Sequence, residues 1–265
     1  MSVFQSIILG IVQATTEFLP ISSSAHLVII PRIFGWEEQP LFFDIILHGA
    51  TVCALIIYFR NDLFNIIKGL LGKDRGSNLK LVFKILIAII PTAIIGFLLQ
   101  NFIDETFRKN IFIALSLIIV GVFMIFVEKI VKEPHLDIYS VGYKKVIIIA
   151  IAEVFALIRG VSRSGITIST GYLVGLKREE AARFSFIIGI PLILGVFLHS
   201  LFNLDFSEDQ IKSIGPTAII AGFTTSFSIG LVVIHFFLKF LKRNSLNIFG
   251  YYRIILGIIL LILFR

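Results

Sequence analysis

Six apolar runs of about 18 residues or more constrain this chain more than any other feature, because a helix of that length crosses a hydrocarbon layer roughly 30 Å thick. They cover 41–59, 82–101, 110–130, 184–203, 214–238 and 247–264. Composition agrees: 57% of the 265 residues are hydrophobic, only 15% are charged, and mean hydropathy is +0.98, which excludes a soluble globular reading. The expectation is an all-α polytopic membrane protein forming a single membrane domain over 1–265.

Two further apolar regions are interrupted. Residues 3–34 break at Glu17-Phe-Leu-Pro-Ile-Ser-Ser-Ser, and residues 146–176 break at Arg159-Gly-Val-Ser-Arg-Ser-Gly. Each half is too short to span, and irregular backbone at membrane depth is tolerated only where protein or a water-filled cavity covers it. Two re-entrant helical hairpins are therefore predicted, in addition to six transmembrane helices.

Self-comparison divides the chain into two copies. At an offset of 140, Ser22 and Ser24 fall on Ser162 and Ser164, Gln13 on Glu153 and Gly49 on Gly189. At an offset of 137, Asn110-Ile-Phe112 falls on Asn247-Ile-Phe249, with Gly121 one residue out of step with Gly257. Repeat one then covers about 1–131 and repeat two about 143–265, each a hairpin plus three spans. An odd number of spans inserts the second copy from the opposite face, so an inverted repeat is predicted, with hairpin tips meeting near the midplane.

The basic residues set an orientation. If 60–84, 129–145, 177–183 and 239–243 share one side, that side holds sixteen Lys and Arg, while about six remain opposite: Arg32, Arg108, Lys109, Lys212, Arg265 and Arg253. The positive-inside rule then puts both termini and the first hairpin's mouth outside, with the acidic Asn203–Ser213 loop. The net charge of +7 sits in short loops rather than in a patch, so no nucleic-acid partner is expected. The lone Cys53 forms no intramolecular disulfide, and Met-Ser-Val-Phe-Gln-Ser lacks the basic start of a signal peptide, so the N-terminus is expected to stay.

Ionisable residues at bilayer depth cost a few kcal/mol or more unless they face a cavity or a partner, so they mark candidate sites. Gln13 and Glu17 are one helical turn apart on one face. Pro20 stops that helix, Ser22, Ser23 and Ser24 are placed to cap the next, and His26 lies in its first turn. In the second break, Ser162, Arg163, Ser164 and Thr167 supply hydroxyls and a guanidinium at a predicted helix start. Arg163 reads as a phosphate clamp, because a guanidinium binds phosphate oxygens bidentately; a snorkelling or carboxylate-paired arginine is the alternative. Together the tips fit phosphoryl transfer to a serine activated by a base, or to a histidine directly. Lipid surroundings imply a substrate with an apolar tail.

At these residues the chain resembles the undecaprenyl-diphosphate phosphatase family, the bacitracin-resistance membrane phosphatases. Gln13-Ala-Thr-Thr-Glu-Phe-Leu-Pro-Ile-Ser-Ser-Ser-Ala-His26 and Gly160-Val-Ser-Arg-Ser-Gly-Ile-Thr-Ile168 carry the likeness, which runs over essentially the full length. The resemblance implies hydrolysis of undecaprenyl (polyprenyl) diphosphate to the monophosphate and inorganic phosphate at the outer face of the plasma membrane, recycling the lipid carrier and conferring bacitracin resistance. It implies catalytic Glu17, Ser23, His26 and Arg163, phosphate-binding Ser22, Ser162, Ser164 and Thr167, and supporting Gln13; the residues of the breaks themselves add phosphate-binding Ser24 and supporting Glu153 and Arg159 as candidates. It also implies a divalent cation, Mg2+ or Ca2+, with Glu17 as its ligand, and a homodimer with inverted repeats.

Three positions depart from the family pattern: Arg159 replaces a usual proline, Ala25 a glycine and Glu153 a glutamine. Arg159 adds a candidate second phosphate contact or a partner for Glu153. The rival reading is a transporter or flippase of polyprenyl phosphate, since broken helices in inverted repeats are also transporter architecture.

Overall fold

A computed structural model describes residues 1–72, 76–107, 109–203 and 214–263. The acidic loop expected to face outside, from Leu204 to Ser213, lies outside the described residues, as do Lys73, Arg75, Arg108 and Arg265. The described chain is helical, in the order α1 Val3–Phe18, α2 Ser23–Ile33, α3 Leu41–Tyr58, α4 Arg60–Leu70, α5 Ser77–Phe107 and α6 Asn110–Ile130. There follow α7 Tyr143–Val154, α8 Arg163–Leu173, α9 Arg178–Asn203, α10 Pro216–Leu241 and α11 Asn247–Leu263.

Five of these helices, α3, α5, α6, α9 and α10, are long and apolar enough to cross a membrane. The sixth expected span is α11, which at 17 residues falls just short of that length. Two spans extend beyond their apolar runs: α5 starts at Ser77 rather than 82, and α9 at Arg178 rather than 184. Once a helix is nucleated, adding a residue costs little, so it carries polar residues past the hydrocarbon. Helix α4 was not foreseen. Its Leu63, Phe64, Ile66, Ile67 and Leu70 recur at helical spacing beside Asp62 and Lys68, the signature of an amphipathic helix.

Both interrupted regions are pairs of short helices joined by tight turns. In the first, Leu19 is extended, Pro20 lacks an N–H, and Ser22 has φ 78° and ψ 97°. In the second, a 3-10 turn Phe155–Leu157 leads to Gly160 at φ 90° and Ser162 at φ 67° and ψ 111°. Non-glycine residues rarely adopt positive φ, and both serines do so at the residue just before a helix.

Small residues set the closest helix crossings. A side chain at Gly10 of α1 would strike the Gly222 carbonyl of α10, and one at Gly121 of α6 would strike the Gly250 carbonyl of α11. Such residues let backbones approach where lipid offers no hydrophobic drive to associate. Beneath the first turn, Phe18 packs edge-on to Phe186 of α9, with centroids 5.6 Å apart.

The basic segments gather at one end of the bundle. Arg183 pairs with Asp62, Arg178 with Glu128 at 2.5 Å and Lys242 with Glu179 at 3.5 Å. Lys84 donates to the Ile138 and Tyr139 carbonyls at 3.2 and 2.6 Å. Arg253 corrects the charge count: it is not a surface residue opposite this end but is fully buried.

Candidate active site

The two turns meet, and polar groups cross between them. Ser164 Oγ donates to the Glu17 carbonyl at 3.2 Å, and the Gly160 N–H donates to Ser24 Oγ at 3.4 Å. Arg253 binds both turns: its guanidinium donates to Gly160 O and Val161 O at 2.8 Å each and to Pro20 O at 3.2 Å. A buried guanidinium is costly unless its donors are satisfied; here backbone carbonyls freed by the broken helices satisfy them. Gly160 is fixed twice over, by its φ and because a Cβ would meet the Ile113 carbonyl.

At the centre lies Glu17, buried to 9% exposure. Its Oε2 accepts from Ser23 Oγ at 2.8 Å and from Gln13 Nε2 at 3.4 Å. Its Oε1 lies 3.5 Å from Arg163 NH2. The expected one-turn stacking of Gln13 and Glu17 is therefore present, and residues from the two interrupted regions share one carboxylate. Arg163 NH1 donates to the Ser185 carbonyl at 2.8 Å, while its buried Nε has no partner among the described residues. Gly189 makes room for the guanidinium, since a Cβ there would overlap it.

The hydroxyls divide their work. Ser162 accepts from the Gly165 N–H at 3.1 Å and so caps α8, whereas Ser22, in the same place before α2, makes no cap bond. Its hydroxyl pairs with Ser24 at 3.2 Å, as Ser162 pairs with Ser164 at 3.2 Å. Thr167 Oγ1 lies 2.6 Å from Ser185 Oγ and donates to the Arg163 carbonyl at 2.7 Å.

His26 turns elsewhere. Its Nδ1 is 2.7 Å from the Ser22 carbonyl and its Nε2 2.7 Å from the Tyr252 hydroxyl, with the two rings stacked. A carbonyl only accepts, so Nδ1 donates and, in the neutral ring, Nε2 accepts from Tyr252. The imidazole beside Glu17 is instead that of His48, whose Nε2 is 3.8 Å from Oε2. Glu153 is fully buried, and neither carboxylate oxygen has a hydrogen-bond partner among the described residues, Arg159 included. Arg159 acts electrostatically on Asp44.

Sequence reasoning missed His48, Arg253, Tyr252 and Ser185. Two of these carried a usable signal, because an ionisable residue inside an apolar run is itself a site hypothesis. A serine or tyrosine in such a run carries none.

No group of three or more His, Cys, Asp or Glu is placed to hold a metal ion among the described residues. A hard divalent cation needs only one or two carboxylates when substrate phosphates and water complete its shell. Glu17, with the Ser23 hydroxyl beside it, fits that donor set.

Fold and site thus define an integral membrane protein of helices, with a buried polar centre suited to a phosphate group. Residues 6–259 match the family described as bacitracin resistance protein BacA. The chain is 40% identical to the undecaprenyl-diphosphatase of Caldicellulosiruptor bescii over 263 residues, covering 98% of this chain and 97% of that protein. It is 39% identical to undecaprenyl-diphosphatase 2 of Stutzerimonas stutzeri, covering 100% and 99%, and 39% identical to the undecaprenyl-diphosphatase of Moorella thermoacetica, covering 100% and 98%. The chain belongs to the bacitracin resistance protein BacA family.

Proposed function

We propose that this chain hydrolyses undecaprenyl (polyprenyl) diphosphate to the monophosphate and inorganic phosphate, recycling the lipid carrier and so conferring bacitracin resistance. One observation carries the reading: Glu17 and Arg163, one from each interrupted region, lie 3.5 Å apart with Ser23 bonded to the same carboxylate. A carboxylate, a hydroxyl and a desolvated guanidinium are the parts phosphoryl transfer requires, and near-40% identity to undecaprenyl-diphosphatases over the whole chain supports the substrate.

Arg163, held from behind by the Ser185 carbonyl and with Nε unused, receives the terminal phosphate, joined by the N–H groups at the starts of α2 and α8. Ser23 Oγ attacks the terminal phosphorus while Glu17 takes its proton. The bond to the bridging oxygen breaks, and polyprenyl monophosphate leaves. Water then cleaves the phosphoserine, releasing inorganic phosphate and restoring the hydroxyl. His26, with both ring nitrogens engaged, orients α2 against Tyr252. Glu17, with the Ser23 hydroxyl beside it, would hold a divalent cation, which would supply neutralisation of the charge on the departing phosphate.

The same reading takes the chain as six spans and two re-entrant hairpins in an inverted repeat. The matching conformations of Ser22 and Ser162 support this, as does helix pairing in which α1 packs on α10 as α7 packs on α5. The basic end is assigned to the cytoplasm, and both termini and the active-site mouth to the outside of the plasma membrane. A homodimer is included on the family resemblance.

Purified protein in detergent should release phosphate from polyprenyl diphosphate, and Glu17→Gln, Ser23→Ala or Arg163→Ala should each lower that rate by roughly 100-fold or more. Wild-type protein that releases none in Mg2+, Ca2+ or Mn2+ rules the hydrolase out. A cavity of 1330 Å3, mostly apolar but lined also by Arg183, Lys239, Lys242 and Arg243 with Glu179 and Glu180, reaches Leu19 of the first turn from the basic end. This favours a second reading, transport of polyprenyl phosphate; vesicle flux persisting in the Ser23→Ala variant would support it.

A further inference from the structure

Glu17 has a neighbour that the proposed mechanism leaves idle. His48, on α3, points Nε2 at Glu17 Oε2 across 3.8 Å and is 34% exposed. Its other nitrogen, Nδ1, lies 2.8 Å from the Asp44 carbonyl. Because a carbonyl cannot donate, Nδ1 carries the hydrogen, and the neutral ring turns a bare Nε2 lone pair toward a carboxylate. Two lone pairs facing each other repel, and 3.8 Å is beyond hydrogen-bonding distance. The arrangement makes sense when a positive ion lies between them.

Adjacent ligands on an octahedral ion with bonds of about 2.1 Å are about 3 Å apart, so closing the gap needs a shift of less than about 1 Å by a partly exposed side chain. An N–H donated to a backbone carbonyl is also the usual outer contact of a metal-bound imidazole, since it fixes the tautomer and aims the free nitrogen. The Asp44 turn supporting that carbonyl is braced by Gln39, whose Nε2 donates to Asp44 Oδ1 at 2.8 Å. Ser23 Oγ, which donates to the same Oε2 at 2.8 Å, is a third oxygen within reach of that carboxylate.

We propose that His48 is a second protein ligand of the divalent cation, its Nε2 binding together with the Glu17 carboxylate. This deepens the hydrolase reading and rests on its cation. It also has a selectivity consequence: imidazole favours transition metals, whereas carboxylate and water favour Mg2+ and Ca2+. A site of one nitrogen and several oxygens takes Mn2+ more tightly than Mg2+. With only two strong protein ligands it fills mainly when diphosphate oxygens complete the shell.

The test uses tag-free full-length protein in detergent with methylenediphosphonate and Mn2+, read by electron spin echo modulation and by calorimetric titration of Mn2+ and Mg2+. Wild-type protein should show 14N modulation from a coordinated imidazole and bind Mn2+ at least tenfold more tightly than Mg2+. His48→Gln should lose the modulation and most of the Mn2+ preference while changing Mg2+ affinity by less than threefold. His135→Gln, in the loop at the basic end, should leave both unchanged. Failure to bind Mn2+, binding without 14N modulation, or modulation that survives His48→Gln overturns the proposal; the last two leave His48 as an ion-pair partner of Glu17. Phosphate release by wild-type protein in Mg2+ is measured in parallel. Its absence alongside an intact 14N signal would sink the hydrolase reading and not this site, and the reverse would sink only this site.

Discussion

Glu153 is a carboxyl group in a position its surroundings do not serve. It is fully buried, neither oxygen has a hydrogen-bond partner among the described residues, and the charge acting on it is that of Arg163. A buried polar group left unpaired costs about 1–3 kcal/mol. Gln13 takes the matching place in the first repeat and reaches its neighbour through an amide. Glu153→Gln removes a buried ionisable group and keeps the volume, so it should raise the thermal midpoint in detergent by a few degrees with phosphate release retained within about threefold. A lowered midpoint would show that the carboxyl has a partner in the working protein. Glu17 differs in kind: its oxygens meet Ser23, Gln13 and Arg163, and the same substitution there should abolish function rather than improve stability.

At the scale of elements, the two turns are the weak points of the fold, and Arg253 of α11 ties them together. Each turn exposes carbonyls that no helix can satisfy, and one guanidinium donates to Pro20, Gly160 and Val161 as well as to Ser116 and Leu117 of α6. Arg253→Met keeps much of the side-chain volume and leaves those acceptors unpaired. A buried acceptor left without its donor costs about 1–3 kcal/mol, and here several carbonyls lose theirs together. The variant should therefore melt at least about 5 °C lower in detergent and lose tenfold or more of kcat. An unchanged midpoint and rate would mean that the turns hold each other without it. The breaks at Glu17–Ser24 and Arg159–Gly165 were legible in the sequence because polar and helix-breaking residues interrupt apolar runs. Helix α4 was not, because a charged amphipathic helix beside a span reads by composition as a loop.

Across the whole molecule, charge organises the ends. The segments carrying most of the Lys and Arg converge through the Arg183–Asp62, Arg178–Glu128 and Lys242–Glu179 pairs, although they are scattered along the sequence. If this end is cytoplasmic, a cysteine at Lys132 in a Cys53→Ala background should react with a membrane-impermeant maleimide only after cells are opened. A cysteine at Glu37, exposed in the turn before α3, should react in intact cells. The reverse pattern would invert the topology and move the active-site mouth to the inside.

The sequence by itself determined the membrane class, five of the six expected spans, the two polar breaks and the meeting of Gln13, Glu17, Ser23 and Arg163 there. Apolar length and helix-breaking chemistry are local properties, and they act the same way wherever the chain goes. Only the tertiary structure decided which groups share a carboxylate. It set His48 rather than His26 beside Glu17, gave His26 to Tyr252, left Glu153 without a hydrogen-bond partner among the described residues and buried Arg253 between the turns. These pairings join residues tens to hundreds of positions apart. What selects them is the packing of helices against one another, where a glycine at position 189 admits a guanidinium and a carbonyl at Asp44 turns an imidazole toward Glu17.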